Sequence, residues 1–236
     1  RVFMKKFLTI AAFMLFAFSS AQAQGVKIGA TLKAGVFEVD DASEIFSGAH
    51  SSGASPGDVT KKASDEGDEA VGEFGFGSIF AEAMLPGEKI SIGVDYVPMA
   101  LESETTENIQ NMKTVQTGED AQSTNTVKVE FEDLTTVYAL LHPTESLYLK
   151  VGYVQVDVNT IENLATGGAY GNTSLDGYTI GVGYNHDMDN GAFFRVETNY
   201  MEIDGTELTN TNDSTKKVKA DGIQGATVGI SVGKSF

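Results

Sequence analysis

The chain contains no cysteine and few basic residues for its length. Its 236 residues include 16 Lys and Arg against 33 Asp and Glu, which gives a formal net charge of −17. Without cysteine the chain forms no disulfide and offers no thiolate for catalysis or for zinc. Binding to nucleic-acid phosphates depends on clustered Lys and Arg, so the acidic balance predicts no nucleic-acid partner.

Long apolar runs are also missing after the first 23 residues. Beyond them Gly, Thr, Asp or Glu interrupts each apolar run within a few residues, so the sequence predicts no membrane-spanning helix there. If this part of the chain crosses a membrane, it crosses as strands. With 41% hydrophobic residues the chain is not disordered as a whole, because disorder requires low hydrophobicity together with high charge.

The first 23 residues have the pattern of a secretory signal peptide. Three extra residues lead the chain, and a Met-Lys-Lys sequence then precedes an apolar stretch of about a dozen residues. This stretch is too short to cross about 30 Å of hydrocarbon as a helix. Ala21 and Ala23 supply the small residues of an A-x-A cleavage site. We therefore expect cleavage after Ala23 and export of residues 24–236 as a single domain.

Eight segments of the mature chain alternate apolar and polar residues, which is typical of strands with two different faces. In Val71–Leu85 the alternation shifts near Ser78, and we predict a β-bulge at that point. The predicted strands are Val26–Val36, Val71–Leu85, Ile90–Pro98, Val127–Leu141, Leu147–Val158, Tyr178–His186, Ala192–Ile203 and Ile223–Phe236.

Short and long connections alternate between these strands. The short ones carry residues that favour tight turns, and the long ones are polar and mostly acidic. An even number of strands, with short turns at one rim and long loops at the other, is a feature of bacterial outer-membrane barrels. The short connections are 86–89, 142–146 and 187–191, and the long ones are 40–70, 100–126, 159–174 and 204–222.

This layout resembles the small eight-stranded outer-membrane proteins of Gram-negative bacteria, of the OmpA-barrel and opacity-protein type. The resemblance depends on the signal peptide, the eight strands and the terminal Phe236. It implies an all-β, antiparallel, up-and-down transmembrane barrel, with short periplasmic turns and long extracellular loops. It also implies a location among outer-membrane lipids and lipopolysaccharide.

The same resemblance implies two kinds of protein partner, namely periplasmic chaperones and the barrel-assembly machinery. In the family, the machinery recognises a last strand of alternating hydrophobic residues that ends in Phe. Lys234 interrupts the apolar face of that strand here. The residues of the expected assembly signal are Val228, Ile230, Val232 and Phe236.

With the apolar faces toward lipid, the charged faces point into the barrel. Because an unpaired buried charge is costly, we expect these side chains to pair, for example Arg195 with Glu130 or Glu197. Two interpretations remain open: charge pairs that plug the lumen, and a narrow pore gated by rearranging pairs. The predicted lumen network comprises Lys33, Asp95, Lys128, Glu130, Glu132, Lys150, Arg195 and Glu197, with Lys27 beside them.

No pattern in the sequence supports an enzyme. The three histidines are His50 in a predicted loop and His142 and His186 at predicted short turns. Neither a G-x-S-x-G elbow nor an H-E-x-x-H helix occurs. We therefore expect no catalytic residue and no cofactor. The acidic loops lack the ligand spacing of a dedicated calcium site, which leaves only weak divalent-cation binding open.

The sequence thus favours an outer-membrane barrel that supports membrane integrity and offers acidic loops for surface interactions. One alternative is a small diffusion channel of low conductance. A further alternative is a secreted soluble barrel that binds a ligand, in which the apolar faces would point inward. The oligomeric state stays open.

Overall fold

The structure of the chain is a computed structural model. It describes residues 25–39, 42–46, 59–62, 70–103, 106–113, 120–164 and 168–236, so the predicted signal peptide lies outside the described residues. Among them no helix is long and apolar enough to span a membrane. The strands are β1 (Gly25–Val39), β2 (Ala42–Phe46), β3 (Val59–Lys62), β4 (Ala70–Met84), β5 (Ile90–Tyr96), β6 (Leu101–Glu102), β7 (Thr106–Lys113), β8 (Asp120–Leu141), β9 (Leu147–Leu164), β10 (Thr173–Asp187), β11 (Ala192–Thr209) and β12 (Lys216–Ser235).

Eight of these strands form a closed antiparallel barrel. The order around the wall is β1-β4-β5-β8-β9-β10-β11-β12, and β12 pairs with β1 to close the ring. Because the ring is closed, the paired parts of the eight barrel strands have no free sheet edge. The predicted all-β fold with eight antiparallel barrel strands is confirmed.

Three short turns lie at one end of the barrel, which we call the turn end. They connect β4 to β5, β8 to β9 and β10 to β11. Gly87 and Gly191 lie in two of these turns with φ of +98° and +78°, a left-handed backbone that glycine adopts without steric cost. The opposite end, where the longer connections lie, is the loop end.

The strands extend further toward the loop end than the sequence predicts. β8 begins at Asp120 instead of Val127, β9 continues to Leu164, and β12 begins at Lys216 instead of Ile223. Four short strands also lie in segments predicted as loops. Of these, β2 pairs with β12, β3 pairs with β2, and β6 and β7 pair with β8. Parts of the predicted long loops therefore continue the wall by backbone pairing.

The break in alternation lies in β8, and the predicted bulge near Ser78 of β4 is wrong. β4 pairs with β1 over its whole length without a register shift. The β8–β9 register shifts between Glu132 and Thr135, where Asp133 has a φ of +54°. The hydroxyl of Tyr96 donates to Asp133 Oδ1 at 2.7 Å. This bulge exchanges the inward and outward faces of β8 on its loop-end side.

Apolar side chains cover the outer face of the barrel near the turn end, a surface we call the outer belt. Leu32, the most exposed of them, retains 76% of its accessible surface. The inward residues at these levels are mainly polar. The large side chains of the outer belt are Ile28, Leu32, Val36, Ile79, Ile90, Ile92, Val137, Leu141, Leu147, Leu149, Val151, Tyr153, Tyr178, Ile180, Val182, Tyr184, Val196, Tyr200, Val228, Ile230, Val232 and Phe236.

Toward the loop end the two faces exchange polarity. In β9, Val154 and Val156 are buried inside while Gln155 is exposed outside. In β11, Met201 and Ile203 are inside, and Glu202 is outside. The buried apolar cluster of this half comprises Phe76, Val97, Leu101, Leu134, Val154, Val156, Val158, Leu175, Met201 and Ile203.

Three outward tyrosines mark the level at which the outer face changes. Tyr153 and Tyr178 are directly opposite each other, and Tyr200 lies on the next strand. The Tyr178 hydroxyl donates to Glu202, and the Tyr200 hydroxyl donates to Gln224. Their rings therefore belong to the outer belt, while their hydroxyls bond to the polar surface beyond it.

The bulge provides a first prediction. We expect Asp133→Val to lower the free energy of unfolding by about 1–3 kcal/mol more than Asp133→Asn, because a β-branched residue is strained in the left-handed region. Asn adopts this conformation more readily and keeps an oxygen for Tyr96. Reversible urea unfolding of the refolded protein measures both variants. Equal losses would contradict the assignment of conformational strain to this position.

Candidate functional site

The interior near the turn end is filled with polar side chains, and we call this set the plug. An eight-stranded barrel is only wide enough for its own side chains, so charges in the plug need partners within it. The buried polar members of the plug are Thr31, Ser78, Glu82, Ser91, Asp95, Thr136, Lys150, Thr179, Asn185, Arg195, Glu197, Asn199, Thr227 and Ser231.

Arg195 of β11 and Glu82 of β4 form one ion pair of the plug. Arg195 Nη1 donates to Glu82 Oε2 at 3.0 Å, and Nη2 lies 3.5 Å from Oε1. Each residue is only 3% exposed. The guanidinium also lies over the rings of Phe80, Tyr148 and Phe193, with 4.9–5.5 Å between its carbon and the ring centroids. Its planar fork and these aromatic faces fix it across the lumen.

A second pair joins Lys150 of β9 to Glu197 of β11. Lys150 Nζ donates to Glu197 Oε1 at 2.8 Å, and the Tyr148 hydroxyl donates to Oε2 at 2.7 Å. Asn199 adds a third donor at 2.9 Å from Oε1. Lys150 Nζ also lies 4.5 Å from the centroid of the Tyr138 ring. The carboxylate of Glu197 is thus satisfied from three sides, which offsets its desolvation.

A third pair lies nearer to the loop end. Lys33 Nζ donates to Asp95 Oδ1 at 2.7 Å, and Ser78 donates to the other oxygen at 2.8 Å. At the turn end Lys27 reaches Asp187 at 2.8 Å in a more exposed position. The three buried pairs balance three positive charges with three negative charges.

Five of the eight predicted lumen residues lie inside the barrel, and these five belong to the three buried pairs. They are Lys33, Asp95, Lys150, Arg195 and Glu197. Arg195 pairs with Glu82, and neither predicted partner, Glu130 or Glu197, takes that position. The sequence analysis assigned no face to Glu82 and so left it out of the predicted network. Alternation in β4 is unbroken, and it places Ser78, Phe80 and Glu82 together on the inward face.

The other three predicted lumen residues, Lys128, Glu130 and Glu132, lie on the outer face, which corrects the prediction. All three precede the bulge at Asp133, which reverses the two faces of β8. Lys128 Nζ donates to Glu102 of β6 at 2.5 Å and lies 3.4 Å from Glu130. The hydrogen bond to Glu102 raises the pKa of Lys128 above its usual value, so the ammonium stays charged.

His142 lies in the turn after β8 and contacts the plug from below. It shares a hydrogen bond of 3.0 Å with Ser91, whose side chain is fully buried. Burial lowers the pKa of His142 below its usual value. His186 is exposed at the turn end of β10, and His50 lies outside the described residues. Because the Ser91 hydroxyl is buried, we interpret this Ser–His pair as a structural contact.

Metal ligands are not grouped in the described part of the chain. No cluster of three or more His, Asp or Glu side chains there is arranged to hold a metal ion. Much of the two most acidic predicted loops, 40–70 and 100–126, lies outside the described residues. The residues of the expected assembly signal, Val228, Ile230, Val232 and Phe236, are exposed on the outer belt or at its edge.

An apolar chamber lies above the plug, toward the loop end. Its volume is about 710 Å³, whereas the void next to Asn199 within the plug measures about 10 Å³. The chamber is bordered by Phe37 of β1, Phe74 of β4, Phe131 of β8 and Met201 of β11. The interior therefore combines a closed polar half with an open apolar half, a division that the sequence analysis did not predict.

Comparisons with known proteins give likenesses in fold. No family model matches the sequence, and no curated protein matches it. The structure is similar to that of the outer membrane protein OprG from Pseudomonas aeruginosa, with 13% identity, a TM-score of 0.47 and coverage of 91% of this chain and 97% of that one. It is also similar to Ail, the attachment invasion locus protein of Yersinia pestis, with 7% identity, a TM-score of 0.40 and coverage of 89% and 98%. It is similar, too, to the outer membrane protease OmpT from Escherichia coli, with 10% identity, a TM-score of 0.35 and coverage of 89% of this chain and 96% of that one.

The plug provides a second prediction. Arg195→Met is expected to lower the free energy of unfolding by about 3–5 kcal/mol, because it leaves Glu82 buried without its partner. The double variant Arg195→Met/Glu82→Gln is expected to lose less than the sum of the two single losses. Urea unfolding of protein refolded into lipid vesicles measures this difference.

Lys217→Met serves as the control, because it removes an ion pair with Glu207 that is more exposed. It is expected to cost about 0.5 kcal/mol or less. Strict additivity of the Arg195 and Glu82 losses would contradict the coupling.

Proposed function

We propose that this chain is a bacterial outer-membrane barrel with a structural role. In this proposal the outer belt contacts lipid, the plug closes the lumen, and the loop end faces the cell exterior, where it is available for surface interactions. The observation that carries the proposal is the outer belt around a polar interior whose buried charges are paired. The chain would support membrane integrity without conducting ions.

The extent of the outer belt supports a membrane location. Monomeric soluble proteins rarely expose contiguous apolar patches larger than a few hundred Å², yet here the exposed apolar side chains belong to all eight barrel strands. On β1 the apolar alternation runs from Val26 to Val36, which matches the 9–11 or so residues of a tilted membrane strand. The level of Tyr153, Tyr178 and Tyr200 suits the aromatic girdle at a membrane surface.

The same observation disfavours the secreted soluble barrel. Such a protein would bury its apolar faces and expose its charges, whereas Arg195, Glu197 and Lys150 are buried in the plug. Only the loop-end half has the polarity of a soluble protein. That half fits a wall that projects beyond the membrane into water.

The proposal includes the partners expected from the sequence. A chain exported through a signal peptide would meet periplasmic chaperones and the barrel-assembly machinery before it reaches outer-membrane lipids and lipopolysaccharide. The exposed alternation of Val228, Ile230 and Val232 supports recognition of the last strand by that machinery.

The position of the membrane gives a third prediction. We expect Val182→Arg to lower the free energy of unfolding in lipid vesicles by about 2–4 kcal/mol, because this outward side chain lies in the middle of the outer belt. Gln155→Arg, outward and beyond Tyr153, is expected to change it by less than about 1 kcal/mol. Urea unfolding in vesicles measures both variants. A neutral Val182→Arg would contradict the contact with lipid.

Conductance separates the structural role from the channel alternative. Residues 24–236, refolded into planar bilayers, are expected to give no discrete current steps, because buried ion pairs and aromatic rings occupy the lumen. A heat-dependent shift in gel mobility first establishes that the barrel is folded. Reproducible steps that change in Arg195→Ala would instead favour a diffusion channel. In a plugged barrel Arg195→Ala reduces stability and leaves the bilayer silent.

A further inference from the structure

The outer belt is hollowed on one side of the barrel, between β4 and β10. Ala81 and Ala83 of β4 and Val94 of β5 face outward in the alternation of their strands, yet they are only 4–7% exposed. Larger outward side chains, such as Ile92 and Val137, stand beside them. The space above the recessed side chains measures about 550 Å³, and we call it the outer groove.

The outer groove has the size and the lining of a site for a hydrocarbon chain. Its volume lies within the range of about 300–1,000 Å³ that is usual for small-molecule sites. Below the tyrosine level its outward side chains are all hydrocarbon, among them Ala139 and Val151. A chain that lies in a groove touches more atoms than a chain on a flat surface, and the dispersion energy grows with the number of such contacts.

Two tyrosines stand at the loop-end mouth of the outer groove. Tyr153 and Tyr178 border it, lie directly opposite each other on β9 and β10, and are about half exposed. The face of a tyrosine ring attracts ammonium groups, quaternary ones included. A lipid whose chain follows the groove would bring its head group to these rings.

Carboxylates surround the same mouth. The Tyr178 hydroxyl donates to Glu202, and the Tyr153 hydroxyl lies beside Asp176. Asp204 lies two residues beyond Glu202 and is exposed as well. From the tyrosine level to their loop ends, the described lengths of β9, β10 and β11 contain no Lys or Arg. The mouth of the outer groove is therefore negatively charged.

The charge at the mouth decides which lipid fits the groove. Its carboxylates repel an anionic head group and attract a cationic one, over the roughly 8 Å within which salt leaves surface charges unscreened. The aromatic faces favour the same sign of charge. The groove thus selects a hydrocarbon chain, and its mouth selects a cation.

We propose that the outer groove binds one membrane lipid with a cationic, ammonium-bearing head group. The hydrocarbon chain lies in the groove, and the head group contacts Tyr153 and Tyr178 near the carboxylates of Glu202 and Asp176. This inference rests on the proposed contact of the outer belt with lipid, and it adds a lipid preference that a structural role alone does not require.

Quenching of single tryptophans by brominated lipids tests the proposal. The chain contains no Trp, so Ile79→Trp, outward on β4 two residues from Ala81, introduces a reporter beside the groove. Ile230→Trp, outward on β12 and away from the groove, is the matched reference. The probes carry dibrominated acyl chains on either a trimethylammonium-propane or a phosphoglycerol head group, each diluted in phosphatidylcholine vesicles.

The expected result is a head-group preference at one reporter only. We expect the cationic lipid to quench Ile79→Trp at a concentration at least about fivefold lower than the anionic lipid, because carboxylates attract its head group. At Ile230→Trp the two probes are expected to differ by less than about twofold, because only the screened net charge of the chain acts there.

Two pairs of variants in the Ile79→Trp protein test the two parts of the site. Ala139→Phe fills the groove and is expected to reduce the preference to about twofold or less, whereas Val182→Phe, elsewhere on the outer belt, is expected to leave it unchanged. Glu202→Gln removes one charge from the mouth and is expected to lower the preference at least about twofold. Glu73→Gln, which removes an exposed carboxylate on β4, is expected to preserve it.

Three results would overturn the proposal in a protein that is folded by gel mobility. An equal preference at the two reporters would show that the net charge of the chain attracts the cationic lipid on all sides. A preference that persists in Ala139→Phe would place the lipid outside the groove. A preference that Glu202→Gln leaves unchanged would remove the assigned role of the mouth.

Failure of the proposed membrane location has a different signature. In that case neither brominated lipid would quench either tryptophan, whatever its head group. Quenching of both tryptophans by both lipids, without a preference, would contradict the lipid site alone and leave the contact of the outer belt with lipid in place.

Discussion

A charge inside a closed eight-stranded barrel has little water around it, and this constraint organises the plug. Each buried cation must meet a carboxylate within a space that is only as wide as the side chains. The pairs that satisfy this condition join strands far apart in the sequence, such as Glu82 of β4 and Arg195 of β11. The Glu82–Arg195 contact spans the β12–β1 closure and forms only when the ring of strands is closed, so this part of the plug and the barrel wall depend on each other.

The exchange of polarity between the faces follows from the same geometry. Where the outside is apolar, the inside holds the charged pairs; where the outside carries Gln155 and Glu202, the inside is packed with Val154, Val156 and Met201. A single strand thus passes through two environments along its length. Because the strands stay continuous across the change, the two halves share one backbone ladder, and the tyrosine level marks the boundary between them.

The sequence predicted the barrel strands well because alternation is strong where one face is apolar and the other polar, as in Val228, Ile230 and Val232. It also identified the five inward charged residues of the buried pairs other than Glu82. It failed for Lys128, Glu130 and Glu132, because a bulge at Asp133 is a backbone feature with a weak sequence signal. Asp in a left-handed conformation is tolerated, but nothing in the local pattern demands it.

The loop-end half was missed for a different reason. The sequence analysis assumed that apolar faces point outward along each strand, which is correct only within the outer belt. In β9 the alternation never breaks, yet the apolar residues move from Leu149 and Val151 outside to Val154 and Val156 inside. The sequence signal for such a change is a shift of the apolar residues from odd-numbered to even-numbered positions within one strand, with no turn between them. The same shift creates the chamber, since an interior that needs no charge pairs can remain partly open. Ion pairs and aromatic rings fill the interior of the polar half, whereas the interior of the apolar half keeps unfilled space.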